Sequence, residues 1–408
     1  MSNIHKIEAS KFKTNTISIR FATKLTRENI TSRALLPSIL YSGCKKYPTK
    51  RLLTLELEKL YDASIGFSMT RLGALSVISI DIIYISDRYL PKSIEDRIID
   101  LLEDVILNPL VDENGFMNER LQEEKRLLEE TIKSIDDDKT DYALKKLKEH
   151  MYKDENFGIL GTGYIEDFST ITTSSLYDEY VNMINCDFVD VIVSGDVNTN
   201  RLERLFSNSV TTVRPNYEFQ DNKDVIEYTV YNERQNIKQS KLNIGYRCGI
   251  TQKDDEYFAM VVLNSLLGSA PNNILFQTVR EENSLCYYIR SSYLPFKGTI
   301  HIYLGIKNEN YKKALELISA QILRLVNGDF SEKLLINAKK YLINNYKELF
   351  DRQMSIVSKA YYDVYLQRNI SFDDMIKRIQ DISRIDIMEA AKAIVADTEF
   401  YLIGAEDE

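Results

Sequence analysis

The chain has 408 residues, of which 44% are hydrophobic and 28% charged, with a net charge of −9. That length is enough for two or three domains with sizeable cores. The acidic balance argues against a broad electrostatic grip on nucleic acid or on an anionic membrane, and no run of about 18 apolar residues exists to span a bilayer.

The first residues, Met-Ser-Asn-Ile-His-Lys-Ile-Glu, lack the apolar core of a signal peptide. Cys44, Cys186, Cys248 and Cys286 are far apart and form no Cys-x-x-Cys pair, so reduced, mostly buried thiols in a cytoplasmic protein are expected. The three histidines, His5, His150 and His301, are too scattered for a local two-His metal site.

In chain order, Ile17, Ile19 and Phe21 alternate with Thr16, Ser18 and Arg20, which predicts a strand over 16–21. A polar turn at 26–29 precedes a helix over 31–42, with Leu35, Leu36, Ile39 and Leu40 on its apolar side. Pro37 inside that run removes one helical hydrogen bond and should kink or shorten the helix. A helix over 52–61 leads to strands over 65–69 and 75–85. Helices follow over 92–108, 116–135, 139–152 and 174–183, with a Gly-rich loop at Gly158, Gly161 and Gly163, and then an apolar strand over 188–194.

The same order then recurs. Leu242–Tyr246 follows Ile17–Phe21 by 225 residues, and Gly268 follows Gly43 by the same 225. Asp329-Phe330 follows Gly115-Phe116 by 214, and Phe400–Gly404 follows Val191–Gly195 by 209. Four landmarks in one order indicate a duplicated domain of about 200 residues. The expected organisation is a first domain over 1–206, a linker over 207–227 and a second domain over 228–408. Strand and helix runs without strict βαβ alternation predict an α+β fold, each repeat a mainly antiparallel sheet packed with helices.

In the second half, residues 273–282 predict a helix and Asn283-Ser284 a tight break, with a strand starting near Leu285. Arg280 lies on the last helical turn and Tyr287 on the strand, so the two can converge from different elements. A plainer alternative is an Arg that caps its own helix and a Tyr that packs in a sheet. Tyr288 is the internal control, because neighbours on a strand point to opposite faces.

Leu275-Phe276, Arg280-Glu281, Leu285 and Tyr287, set in a duplicated α+β chain, resemble the insulinase/pitrilysin-like zinc metallopeptidases, in the branch of mitochondrial processing peptidase and its bacterial relatives. The resemblance runs from Phe12 to about Gly404 and implies the LuxS/MPP-like metallopeptidase half-fold in each repeat. Active members carry His-x-x-Glu-His on a first-half helix just before an aromatic-x-Gly. The two His hold zinc, and the Glu activates its water. Here Tyr41-Ser42-Gly43 marks the aromatic-x-Gly, so the two His positions are Ala34 and Ser38 and the Glu position is Pro37. The third ligand of the family maps onto Glu130, which is then vestigial. The resemblance therefore implies no metal in this chain, and zinc in a partner.

In two-chain members one subunit carries the zinc motif and the other only the Arg/Tyr pair. By that resemblance the chain is a non-catalytic subunit that lends Arg280 and Tyr287 to a homologous zinc-bearing partner acting on peptides. Tyr287 is implied to hold the substrate carbonyl or oxyanion, and Arg280 to position substrate. A catalytically dead peptide-binding or structural scaffold is the alternative, and the isolated chain is expected to be a monomer or a homodimer.

The remaining candidates read plainly. The 158–163 glycines lack the strand and Lys of a phosphate loop, Glu123-Glu124 and Asp136–Asp138 read as solvated charge runs, His150 as an exposed helix residue and His301 as a sheet residue. No serine- or thiol-hydrolase signature is present.

Overall fold

The computed structural model describes residues 3–8, 10–205, 213–219 and 227–405. In chain order the first half holds β1 (Asn3–Ile7), β2 (Thr14–Lys24), α1 (Ile30–Tyr41), α2 (Lys50–Lys59), β3 (Ser64–Leu72), β4 (Leu75–Ile85), α3 (Glu95–Leu107), the short β5 (Val111–Asp112) and β6 (Gly115–Phe116), α4 (Asn118–Asp137), α5 (Lys139–Met151), α6 (Thr173–Cys186), β7 (Phe188–Ser194) and α7 (Asn200–Leu205). The second half holds β8 (Thr229–Arg234), β9 (Ser240–Arg247), α8 (Tyr257–Asn264), β10 (Cys286–Leu294), β11 (Thr299–Ile306), α9 (Tyr311–Val326), α10 (Glu332–Phe350), α11 (Gln353–Tyr365), α12 (Phe372–Asp381), α13 (Arg384–Lys392) and β12 (Val395–Ile403).

Two five-stranded sheets form, ordered β1-β7-β2-β4-β3 and β8-β12-β9-β11-β10. Position for position these are the same topology. In each, one edge strand is parallel to its neighbour (β1 to β7, β8 to β12) and the remaining pairs are antiparallel. The repeat read from the sequence is thus an α+β unit built twice.

One face of each sheet is apolar and helix-covered, as the alternation predicts. Ile17, Ile19 and Phe21 pack with Leu35, Leu36, Ile39 and Leu40 in the first core. Leu242, Ile244, Ile302 and Leu304 pack with Val262, Leu263 and Leu266 in the second. The helix α1 is not cut short at Pro37 but runs on to Tyr41, with Pro37 buried inside it. Arg33, on the same helix, is fully buried. Its guanidinium donates to Asp187 at 2.7 Å, to Glu179 at 3.3 Å and to the Ser76 hydroxyl at 2.8 Å. Burial outweighs the Arg33 pairing and pushes the Asp187 carboxyl up to about 6.

The other sheet face is polar, and it is also buried, which strand alternation does not show. The chain divides into two compact units that do not follow a single cut at 207–227: Met1–Lys133 with Ile159–Glu218 and Arg352–Arg368, and Ser134–Gly158 with Phe219–Asp351 and Asn369–Glu408. Each unit takes one segment from the other half of the sequence. In the first unit, α11 lies over Thr16, Ser18 and Arg20, all of them buried. Gln353 donates to the Thr14 carbonyl at 2.9 Å and to the Ser194 hydroxyl at 3.2 Å. Arg20 donates to Ser18 at 2.8 Å, pairs with Asp81 at 3.2 Å and lies over the Tyr361 ring. Asp190, without solvent exposure, accepts two bonds from Arg214 at 2.9 Å and contacts His5 at 2.8 Å.

In the second unit, α5 does the equivalent. Ala143 and Leu147 pack on Phe400 and Leu402. Just beyond, the Tyr152 hydroxyl lies 2.8 Å from both Thr299 Oγ1 and His301 Nε2. Arg247 pairs with Glu155 and with Asp397, each at 2.6 Å, and Lys297 also pairs with Glu155. His150 is half-buried rather than exposed, stacked at 3.9 Å on the Tyr231 ring. Of the expected linker, 207–212 and 220–226 lie outside the described residues. The 213–218 stretch belongs to the first unit, where the Ala74 amide donates to the Tyr217 carbonyl at 2.7 Å. A Cβ on Gly73 would lie 2.0 Å from that same carbonyl oxygen, and its φ is +58°, so only glycine fits there.

Two stability outcomes are expected. Replacing Arg33 with Leu strands two carboxylates in the core and should cost about 3–5 kcal/mol in chemical denaturation, the deficit shrinking as acid neutralises Asp187. Burial, with Lys148 adding to it, pushes the His301 imidazole down to about 3. The unfolded chain then binds the extra proton between roughly pH 6.5 and 3, so stability should fall on acidification through that window by up to about 1.4 kcal/mol per pH unit. His301→Gln should flatten that part of the denaturation-versus-pH curve.

Candidate functional site

The backbone around Arg280 and Tyr287 departs from regular geometry five times in 23 residues, from Ser265 to Tyr287. The helix α8 widens into a π-turn over Ser265–Ser269, and a second π-helical segment covers Phe276–Glu282. Asn272 and Ser284 have φ of +56° and +53°, left-handed values that a non-glycine residue adopts only under tertiary constraint. The register between β10 and β11 then slips between Cys286 and Tyr288, which leaves Tyr287 as the unpaired residue of a β-bulge.

Local side-chain chemistry holds this path in place. Asn273 accepts from the Phe276 amide at 2.8 Å and donates to the Ala270 carbonyl at 2.6 Å, capping the start of the segment. Asn283 donates to the Thr278 carbonyl at 2.8 Å, and the Ser284 amide to the Arg280 carbonyl at 3.0 Å. Gly268 permits the close approach of the π-turn to β10, because a Cβ there would meet the Ser291 nitrogen at 2.6 Å. Ser291 in turn donates to Asn264 Oδ1 at 2.7 Å.

The result is a groove of about 590 Å³ with Arg280 and Tyr287 both in its lining. Glu281, Asn283 and Ser284 come from the helix end and the turn; Lys307, Glu309 and Asn310 come from the connection after β11. Tyr287 is 67% exposed and its hydroxyl has no hydrogen-bond partner among the described residues. Tyr288 points away, half-buried, donating to Thr140 at 3.2 Å, with burial raising its phenol. The control therefore separates as strand geometry requires. The Arg280 guanidinium lies 4.7 Å from the Phe276 ring centroid and 3.6 Å from Glu281, with its outer part in solvent. Cys286 also lines the groove, but its thiol is buried and pushed up to about 11.

The first-half positions are arranged differently. On α1, Ala34 and Ser38 are half-buried and Pro37 is buried. Glu130 on α4 is exposed and paired with Arg126 at 2.6 Å. Neither Ala34 nor Pro37 offers a side-chain ligand atom, and a neutral Ser hydroxyl with one solvated, Arg-paired carboxylate does not fit a zinc site. Among the described residues no three His, Cys, Asp or Glu side chains group so as to hold a metal ion. Glu124 differs from its reading as part of a solvated run: it is 3% exposed and paired with Lys50 at 2.9 Å. Lys307 carries no sequence signal of its own.

Residues 170–342 match the family model described as the peptidase M16 inactive domain. The chain is 31% identical over 407 residues to the "Probable inactive metalloprotease YmfF" of Bacillus subtilis, covering 98% of this chain and 96% of that protein. Among solved structures it superimposes on a conserved protein from Enterococcus faecalis with a TM-score of 0.92 and 31% identity, over 99% of this chain and 97% of the other. It also shares the fold of a peptidase M16 inactive domain from Pseudomonas fluorescens, at a TM-score of 0.79 and 16% identity over 99% and 98% of the two chains.

The burial pattern sets the order of thiol reactivity. Cys186 is exposed, while Cys44, Cys248 and Cys286 are buried, and burial raises all three of their thiols. Iodoacetamide at neutral pH should label Cys186 in the native chain and reach the other three only in denaturant, as read by peptide mass spectrometry.

Proposed function

This chain belongs to the peptidase M16 family, as a homologue of its inactive type, and on that premise we propose that it is the non-catalytic subunit of a two-chain zinc peptidase. The observation that carries this reading is the pairing of an intact second-half groove with an emptied first-half helix. Arg280 and Tyr287 line one groove, whereas Ala34, Pro37 and Ser38 stand where the family's zinc-binding and water-activating residues would be. The partner is a homologous chain with an intact His-x-x-Glu-His motif, and its zinc supplies the hydrolytic chemistry.

Within that assembly this chain holds the peptide. The Tyr287 hydroxyl, free of internal partners, donates a hydrogen bond to the substrate carbonyl and keeps it as negative charge develops on that oxygen. Arg280 offers permanently charged donors to the substrate backbone, and the Phe276 ring beneath it limits how far the guanidinium can swing. The bulge at Tyr287 and the left-handed Ser284 aim the two side chains from different elements at one space. The buried free thiols of Cys44, Cys248 and Cys286 accord with a cytoplasmic location.

The test is reconstitution. The purified chain should carry no stoichiometric zinc and hydrolyse no peptide alone, and activity should appear on mixing with a zinc-bearing homologue. In the mixture, Tyr287→Phe should lower kcat about 10²-fold, the scale set by loss of one oxyanion donor. Arg280→Ala should lower kcat/KM, and Tyr288→Phe should change neither. Wild-type turnover in the Tyr287 and Arg280 variants would remove their assigned roles. Peptide hydrolysis by the lone, zinc-loaded chain would overturn the subunit reading, and mixing without any gain in activity would favour a scaffold.

A further inference from the structure

We infer that Lys307 is a specificity-determining residue of the groove and that it selects peptides presenting a carboxylate beside the segment held by Arg280 and Tyr287. This rests on the reading of the groove as a peptide site. Lys307 is the first residue after β11, whose last residue, Ile306, pairs with Cys286, the neighbour of Tyr287. It therefore stands just past the end of the strand that pairs with the bulge, and it lines the same groove as Tyr287 and Arg280.

Both cations are loosely held. Lys307 Nζ lies 3.8 Å from Glu309 and is 67% exposed, and Arg280 lies 3.6 Å from Glu281 and is 44% exposed. Neither contact is a hydrogen bond by distance, and exposed pairs of this kind contribute at most about 1 kcal/mol. A carboxylate entering the groove can exchange these loose contacts for direct, charge-assisted hydrogen bonds. Two of the other polar side chains are partly committed: Asn310 donates to the Leu285 carbonyl at 3.2 Å, and Asn283 to Thr278. Each spends one of its two amide N–H donors on the backbone, so the cationic donors facing a ligand are Arg280 and Lys307, with the neutral hydroxyls of Tyr287 and Ser284 beside them. Glu281 and Glu309 oppose an anion, which makes Glu309 the counterweight through which the assignment can be checked in the opposite direction.

A peptide carboxylate comes from two sources, the chain end or an acidic side chain. Fluorescence anisotropy of the full-length chain at low salt separates them with three probes. These are fluorescein-labelled tetra-alanine with a free C-terminus, the same peptide amidated, and an amidated peptide with one Ala replaced by Asp. At least one carboxylate probe should bind about fivefold more tightly than the neutral amide, the upper range for an exposed charge contact. Lys307→Gln should abolish that preference, Lys307→Arg should keep it and Glu309→Gln should enlarge it, with the amide affinity unchanged in all three.

Equal affinity for acid and amide probes would overturn the inference and leave the peptide-holding reading intact, because the neutral peptide still binds. A preference that survives Lys307→Gln would overturn the assignment to Lys307. Failure of every probe to bind would overturn both this inference and the substrate-holding part of the proposed function.

Discussion

The second, polar face of each sheet is the constraint on which this structure depends. A half of this chain supplies helices enough to bury one sheet face, and the other face carries Thr16, Ser18, Arg20 and Asp190 in one unit and Thr299, His301, Arg247 and Asp397 in the other. Covering such a face removes charges from water, which is tolerable only if each finds a partner. The covering segments bring some of those partners, Tyr361 over Arg20 in one unit and Tyr152 and Glu155 in the other, while Arg20 also pairs with Asp81 and Asp190 with Arg214. The exchange of α5 and α11 between halves uses polar and apolar contacts together, with Ala143 and Leu147 of α5 packed on Phe400 and Leu402 and Val357 of α11 buried.

The two repeats have diverged in opposite directions on that shared frame. On α1 the positions matching the zinc motif hold Ala34, Pro37 and Ser38, and the only charge on that helix, Arg33, faces inward to Asp187 and Glu179. The helix has become a structural strut whose electrostatics are satisfied internally. In the second repeat the equivalent helix α8 ends in a π-turn, and the following segment carries a second π-helical stretch and left-handed Asn272 and Ser284. Left-handed Ser284 costs conformational energy that a glycine would not. These departures lie between α8 and β10, the stretch that places Arg280 and Tyr287 in one groove.

Much of the fold was legible. The strand over 75–85 and that over 188–194 appear with the bounds that the apolar runs indicate, because a buried strand needs no context beyond alternation and turn residues. The repeat was legible because the same topology demands the same order of landmarks. The strands β1 and β8 went unread: each is short, half-exposed and paired in parallel with a distant strand, so its pairing rather than its pattern makes it a strand. Glu124 and His150 were assigned to solvent because helix periodicity places a residue on a face without saying what covers that face.

At the candidate site the division is similar. The sequence by itself determined which side chains are present: a side chain without a donor atom cannot bind zinc in any fold, and an Arg seven residues before a Tyr across a helix-to-strand break can converge. Only the tertiary structure decided that they do line one groove, that Tyr287 and not Tyr288 faces it, and that Lys307 stands beside them. Those outcomes hang on a π-segment, a left-handed serine and a one-residue bulge, each a local departure that residue identity permits and that packing against β11 and α8 imposes.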